Sequence, residues 1–545
     1  MHDANRTSLA PGQAAIACRR WEYLLSVLTL AMALILGATG LSVAASENPD
    51  RTTATDRAAA GSHRGFKGLH ETLGPRYEPN RQARPAPSRL GHVPAGLTTW
   101  IRHWNEVCID TSGLDHTPVA SGETRVFGEQ FGPCRASRAM AIAHIAMFDA
   151  VNAIAGGYKG YTGIRAVPHW ASMRAAAAQA AHDALVALFP SQAPQLHAQL
   201  AGELRQIPPG QAKNAGISAG RSAAAAILAL RKNDGSSRAE PLIGVNYFPS
   251  NEPGHWRQDP ISLSPLALGA YWKEVRPFVL RSASQFRTPP PPALQSAAYA
   301  SAFNEVKVLG GDGVTTPTIR TDEQAFIGIF WAYDGTPSLC APPRLYNQIA
   351  AQIAEARGTE GMELCRLFAL INVAMADAAI AIWESKYHFD LWRPVTGIRE
   401  ADPRTGPTGK GDRNPGTKGD VTFTPLGAPA SNLSGPNFTP PFPSYPSGHA
   451  GFGGALFQVL RRFYGTDDID FTFVSDEYNG VTVDNEGNVR PYLPRSYDSL
   501  SEAEDENGQS RIYLGIHWRF DKTNGIAQGR LVGNYVIDRV FRPQP

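Results

Sequence analysis

Sparse cysteine, a balanced charge and a shortage of long apolar runs bound what this chain can be. Five cysteines among 545 residues form no CxxC pair, and neither an HExxH motif nor a cysteine–histidine cluster of zinc spacing occurs. That excludes the familiar structural and catalytic zinc sites. Lys and Arg number 51 against 49 Asp and Glu, a formal charge of +2 that becomes +1 without residues 1–45. So even a balance gives no electrostatic argument for nucleic acid, and none is expected as a partner. After the N-terminus no comparable apolar run recurs, which argues against a site set among several membrane-spanning helices. No internal repeat is visible.

The one long uncharged stretch, Leu24 to Ala45, follows Arg19 and Arg20 and ends in Val-Ala-Ala. Residues 1–45 therefore read as a secretion signal with small residues at the cleavage positions. Its length would also serve an uncleaved anchor. The surroundings Cys-Arg-Arg-Trp-Glu lack most of the twin-arginine pattern. The expected location is outside the cytoplasm, periplasmic or secreted, with no membrane association once the signal is cleaved. Cys108, Cys134, Cys340 and Cys365 remain after the signal. Their nearest pairings are 108–134 and 340–365, but four cysteines allow three full connectivities, and four unpaired buried thiols fit the sequence as well.

Residues 46–95, rich in Arg, Pro, Gly and Ser, read as a flexible leader. A helical domain is expected over 96–545. Apolar spacing predicts helices over 137–157, 172–190, 193–205, 211–232, 322–332, 343–357, 362–389, 447–464 and 523–540. Alanine-rich faces imply closely packed helices. Two stretches read as irregular: 401–446, dense in Gly, Pro, Thr and Asn, and the acidic, polar 475–509. Both adjoin segments that carry chemistry, where long loops are often functional.

Those segments are KYHFDLWRP at 386–394, PSGH at 446–449 and SRIYLGIHWRFD at 510–521. Together they offer Lys386, Arg393 and Arg511 as cations, Ser447 and the backbone N–H of Gly448 as neutral donors, and His449 and His517 as groups able to do chemistry. Planar arginine forks match the edges of a phosphate-like anion, and lysine adds a compact charge. A small residue at 448 lets the main chain approach, and a helix starting near Ser447 would aim unpaired N–H groups at the anion. Two histidines beside one oxyanion can divide the roles of nucleophile or ligand and general acid or base. Each residue alone has a structural reading: PSGH as a turn opening a helix, Arg393 before Pro394 as a helix end. Their conjunction points to phosphate or vanadate.

The pattern Lys-x6-Arg-Pro, Pro-Ser-Gly-His and Ser-Arg-x5-His-x3-Asp resembles the signature shared by vanadium-dependent haloperoxidases and type 2 phosphatidic acid phosphatases. WAYDG at 331–335, PPRLYNQIA at 342–350, Trp383, PPFPSYPSGHA at 440–450 and HWRFD at 517–521 are similar to vanadium chloroperoxidases in particular. The resemblance is dense over 322–545 and thinner over 97–321. It implies an all-α fold of two packed four-helix bundles, with the active site in the C-terminal one. It also implies vanadate as cofactor, bonded through His517, with His449 as acid–base partner and Lys386, Arg393, Ser447, Gly448 and Arg511 holding the equatorial oxygens. Lys386 would polarise bound peroxide. Asp334 would pair with and orient Arg511, and Trp383 and Phe442 would line a halide pocket, Phe442 suiting the chloroperoxidase type. Hydrogen peroxide and halide would be substrates, with an organic acceptor as an optional third. The implied product is a hypohalous acid equivalent. The alternative from the same signature is an exported acid phosphatase, without cofactor, working through a phosphohistidine at His517. Asp521 could steady the His517 imidazole or simply pair with Arg519 or Lys522.

Overall fold

A computed structural model describes residues 65–84 and 96–544, and these form one compact unit. The secretion signal expected at 1–45 lies outside the described residues.

Small residues set the spacing of the first bundle. Its helices are α1 (Leu97–Asp115), α2 (Gly132–Ala155), α3 (Met173–Leu188), α4 (Ala193–Leu204) and α5 (Gln211–Arg231). Ser172 caps α3, its hydroxyl accepting the Ala175 N–H at 3.3 Å. The α3 alanines at 175–178, 180, 181 and 184 are all fully buried. Opposite them a Cβ on Gly220 of α5 would lie 2.6 Å from the Ala176 carbonyl. The two backbones therefore touch, as the alanine-rich faces imply.

The second half contributes α6 (Ala297–Leu309), α7 (Asp322–Phe330), α8 (Pro342–Ala356), the 29-residue α9 (Gly361–Phe389), α10 (Pro394–Arg399), α11 (Gly448–Tyr464), α12 (Leu500–Tyr513) and α13 (Arg519–Ile537). Helix α9 packs on α2 of the first bundle and on α11 and α13 of the second. One continuous core thus runs through both bundles. Among the described residues the fold is all-α in character, with two small two-stranded sheets. Glycines bring α11 and α13 together: a Cβ on Gly529 would sit 2.1 Å from the Gly451 carbonyl, and one on Gly451 would strike Ile382 of α9. This contact matters for the site, because α11 begins with Ser-Gly-His and α13 begins just after His517.

Several expectations need correction. The irregular reading of 475–509 fails, since it holds most of the antiparallel hairpin β1 (Phe471–Asn479) and β2 (Tyr492–Tyr497) and the start of α12. Helix α12 escapes an apolar-periodicity reading because much of its buried face is polar: Glu504 is buried against Arg461 at 2.8 Å, and Asn507, Ser510 and Arg511 are buried as well. Helices α1, α6 and α10 were not among the predicted elements. The leader reading of 46–95 does not hold over 65–84, where Leu69, Leu73 and Tyr77 enter the core and Glu78–Pro79 pairs with Leu433–Ser434. All four cysteines are buried, unpaired thiols. Among the described residues two helices, Gly132–Ala155 and Gly361–Phe389, are long and apolar enough to cross a membrane. Their apolar windows are 83% and 94% buried within the protein, as the central helices of such a core must be.

Candidate active site

The site forms where the end of α9, the start of α11, the end of α12 and the start of α13 converge. Lys386 occupies the last turn of α9, which Asp390 ends in a left-handed conformation, φ 52°. The ammonium is fully buried and donates to the carbonyls of Pro443 at 2.8 Å and Ser444 at 2.9 Å, leaving one of its three donors. Burial lowers its pKa well below the ordinary lysine value, helped by the nearby Arg393 charge.

Arg393 stands at the N-cap of α10, its following proline at the first helical position. Carbonyls hold it: Nε donates to Phe442 at 2.9 Å, Nη1 to Ile516 at 2.8 Å and Nη2 to Pro440 at 3.3 Å. Nη1 also donates to His517 Nε2 at 2.9 Å. Arg511, in the last turn of α12, is anchored differently. Its Nη2 donates to both carboxylate oxygens of Asp334, at 2.8 and 2.6 Å, the pairing the resemblance implies. The buried Nε and Nη1 of Arg511 have no acceptor among the described residues.

His517 precedes α13 and its tautomer follows from its partners. Nδ1 lies 2.8 Å from Asp521 Oδ2, which can only receive the proton, so Nδ1 carries it and Nε2 keeps a lone pair. Asp521 also accepts the Trp518 N–H at 3.0 Å and the Ser444 hydroxyl. Its role, open from sequence, is to orient the imidazole, and it pairs with neither Arg519 nor Lys522: those side chains bond Glu305 and Asp505. Burial pushes Asp521 up to about 6. Burial and the cations Arg393, Lys386 and Arg511 push His517 well below the usual histidine value.

Ser447 caps α11 as the sequence predicts, accepting the Ala450 N–H at 3.4 Å, and Gly448 and His449 form the first turn. His449 Nε2 donates to the Ala332 carbonyl, so Nδ1 is the position free to take a proton. Burial first, then Arg511, Lys386 and Arg393, hold this imidazole neutral well below its ordinary pKa.

One pocket is lined by Asp334, Trp383, Phe442, Gly448, His449, Arg511 and His517. Lys386, Arg393 and Ser447 lie behind that lining. Lys386 Nζ is 5.1 Å from the Phe442 ring centre and 5.7 Å from that of Trp383, and the Arg393 guanidinium is 5.0 Å from Phe442. The two rings contact at 4.9 Å. Sequence reasoning assigned no role to Ser444, although it sits inside the PPFPSYPSGH string. It also missed the apolar lining from Leu73, Phe131 and Leu268, which lie far apart in the chain and form no motif.

The family described as VCPO second helical-bundle domain matches residues 366–544. Vanadium chloroperoxidase of Curvularia inaequalis is 38% identical over 288 residues, 46% of this chain and 45% of that protein, so the chain spans about half the length of this curated relative. The solved structure of the first bacterial vanadium-dependent iodoperoxidase is 25% identical, with 83% of this chain and 99% of that chain covered at a TM-score of 0.64. A holo-type bacterial vanadium-dependent chloroperoxidase, 20% identical, shares the fold at a TM-score of 0.55 over 75% of this chain and 92% of its own.

Proposed function

We propose, on the premise that residues 366–544 are a VCPO second helical-bundle domain, that this protein is a vanadate-dependent haloperoxidase. It oxidises halide with hydrogen peroxide and a proton to a hypohalous acid equivalent and water. The observation that carries the reading is Arg511, buried with Nε and Nη1 lacking an acceptor among the described residues, beside two further buried cations and His517, whose Nε2 accepts from Arg393 Nη1. Buried donors and charges without partners are costly, and a tetrahedral oxyanion would satisfy them.

The donor set fits vanadate. Arg511, Arg393, Lys386, the Ser447 hydroxyl and the Gly448 N–H would hold its oxygens, and His517 Nε2, on giving up the hydrogen bond it accepts from Arg393 Nη1, would ligate the metal with Asp521 fixing the ring. When bound, vanadate supplies Lewis acidity that activates hydrogen peroxide toward halide. The chain's own residues do the rest. Lys386 brings its remaining donor to the oxygens, and the carbonyls of Pro443 and Ser444 keep it there. His449 moves protons at Nδ1 while its Nε2–H stays on Ala332. Trp383 and Phe442 give a weakly hydrated halide an aromatic wall, and Phe442 supports competence with chloride. Export through residues 1–45 belongs to the same proposal, resting on Arg19-Arg20 and the uncharged run that follows.

The test is to dialyse the anion-free protein against orthovanadate in phosphate-free buffer and assay halogenation of a phenolic dye with hydrogen peroxide and bromide, then chloride. Vanadate-dependent halogenation is expected. Hydrolysis of p-nitrophenyl phosphate that vanadate only inhibits, with no halogenation, would overturn the proposal. In the same assays Lys386→Ala should lose halogenation by about 10- to 100-fold, as loss of a supporting contact to a metal site does. It should leave phosphate affinity less affected.

A further inference from the structure

Residue 333 stands between two groups on which the proposed oxyanion cradle depends. The carbonyl of Ala332 accepts the Nε2–H of His449, and the carboxylate of Asp334 accepts both hydrogen bonds from Arg511 Nη2, at 2.8 and 2.6 Å. Between them Tyr333 has a left-handed backbone, φ 47°. That conformation is uncommon for a bulky residue and is held only where the surroundings impose it. It also turns the chain sharply, so that residues 332 and 334 serve two different helices, α11 through His449 and α12 through Arg511.

What imposes it lies at the far end of the side chain. Tyr333 is fully buried. Its hydroxyl donates to Gln348 Oε1 at 3.1 Å and accepts the main-chain N–H of Asp476 at 2.6 Å. Gln348, on α8, donates in turn to Asp476 Oδ2 at 2.9 Å, and Arg344 of the same helix donates Nε to that oxygen at 2.9 Å. Asp476 lies where β1 departs from its ladder: Val474 pairs with Pro494 and Asn479 with Tyr492, so residues 475–478 stand opposite Leu493 alone. Bulges of this kind re-aim groups beside active sites. The Ser475 hydroxyl donates to the Phe330 carbonyl at 2.6 Å, which ties the same bulge to the end of α7. The hairpin thus grips residues 330–334 at two points, although among the described residues none of its own lines the pocket. We propose that Tyr333 is a positioning residue for the cradle: its hydroxyl, fixed by Gln348 and the β1 bulge, holds the turn that presents Ala332 to His449 and Asp334 to Arg511. The proton-handling imidazole and the anion-binding guanidinium are thereby set as one unit from the hairpin. This rests on the oxyanion reading above and adds to it a residue and a strand that do not touch the anion.

Calorimetric titration of the full anion-free chain with inorganic phosphate is the experiment, and it needs no vanadate. Tyr333→Phe keeps the ring and removes the hydroxyl, and phosphate affinity should fall by roughly two- to tenfold, the range that one neutral hydrogen bond is worth. Combined with Asp334→Asn, the loss should be smaller than the product of the two single losses, because both act through the same arm. Tyr161→Phe is the control: that hydroxyl donates to the Phe278 carbonyl at 2.8 Å, away from the pocket lining, and its removal should leave phosphate affinity unchanged. In 15N-histidine-labelled protein the Nε2–H resonance of His449, identified by its absence from His449→Gln, should move in Tyr333→Phe and stay in place in Tyr161→Phe. Unchanged phosphate affinity or an unmoved His449 resonance in folded Tyr333→Phe would overturn the role. An equal loss of affinity in Tyr161→Phe would overturn it too, since any loosening of the fold would then suffice. Should Tyr333→Phe fail to fold, Gln348→Met removes the hydroxyl's acceptor from the α8 side and should lower affinity in the same direction, and no change there refutes the role equally. Wild type that binds no phosphate would overturn the cradle itself, an outcome separate from any difference between variants.

Discussion

Each bundle buries a cluster of cations, and they are neutralised in opposite ways. In the first bundle Arg138 and Arg231 each donate Nε to Asp234 at 2.8 Å, and Arg135 pairs with Glu240 at 3.1 Å. The two guanidiniums hold Asp234 below the usual carboxylate range despite its burial. In the second bundle Lys386 and Arg393 are anchored on main-chain carbonyls, and Arg511 alone has a carboxylate partner. Carbonyls fix a cation's position without cancelling its charge. The first arrangement is a structural tie, and the second is a preorganised field for an anion.

Removing the nitrogen proposed to ligate vanadate should have the largest effect on that field's use. His517→Ala is expected to lower vanadate-dependent halogenation by more than about 100-fold, since even outer-shell changes at metal sites cost 10- to 100-fold. Vanadate affinity, read by equilibrium dialysis, should fall with it, whereas phosphate affinity should fall less because the cations remain. Equal losses for the two anions would mean that His517 contributes only as one more polar contact.

Exchanging the two kinds of arginine site sharpens the comparison next. Asp234→Ala removes the carboxylate shared by Arg138 and Arg231 and should cost about 3–5 kcal/mol of stability, the usual penalty for breaking a buried ion pair. Halogenation per folded molecule should stay near wild type. Arg511→Ala should lower anion affinity by about tenfold or more, the loss of at least one charge-assisted hydrogen bond of roughly 1.5–3 kcal/mol. Because it also leaves the buried Asp334 carboxylate without its partner, stability is read on the double variant Arg511→Ala/Asp334→Asn, whose denaturant midpoint in phosphate-free buffer should change much less than that of Asp234→Ala. If that double variant unfolds as readily as Asp234→Ala does, the second cluster is a structural tie too.

This contrast also explains what could be read from the sequence. The second cluster is spelled out in three short strings, because one anion demands particular residue types at fixed places on adjoining helix ends. Every residue proposed for the site lines the pocket or lies just behind that lining. The first cluster draws on Arg135, Arg138, Arg231, Asp234 and Glu240, with no spacing to announce it, since any complementary charges would serve. Long apolar helices such as α9 were legible from their period. Helix α12 was not, because its buried face is largely polar and is satisfied by ion pairs made elsewhere. Leu73 was invisible for a different reason: its place in the pocket depends on where a Pro- and Gly-rich segment docks, which local pattern does not encode.

The smallest expected effect is a pH dependence, and it compares two buried histidines directly. His144 in the first bundle is pushed down to about 4 by burial alone, with Nδ1 on the Met140 carbonyl, and no cation contributes. His449 in the second is lowered by burial and by Arg511, Lys386 and Arg393. For both, the unfolded chain takes up a proton near the ordinary value of about 6.5 while the fold does not, so their share of stability is present above that pH and lost as pH falls below it. Removing either titration, as His144→Gln or His449→Gln, should therefore shift the stability difference in the variant's favour between about pH 7.5 and 5, by at most about 1.4 kcal/mol per pH unit. Phosphate separates the two. An anion in the cradle offsets the cations that depress His449, raises its pKa in the fold and flattens its slope, while His144, lowered by burial alone, should keep its slope unchanged. Parallel denaturant titrations with and without phosphate make the measurement. A phosphate response at His144 equal to that at His449 would place the anion's effect on the whole fold rather than on the three cations of the second bundle.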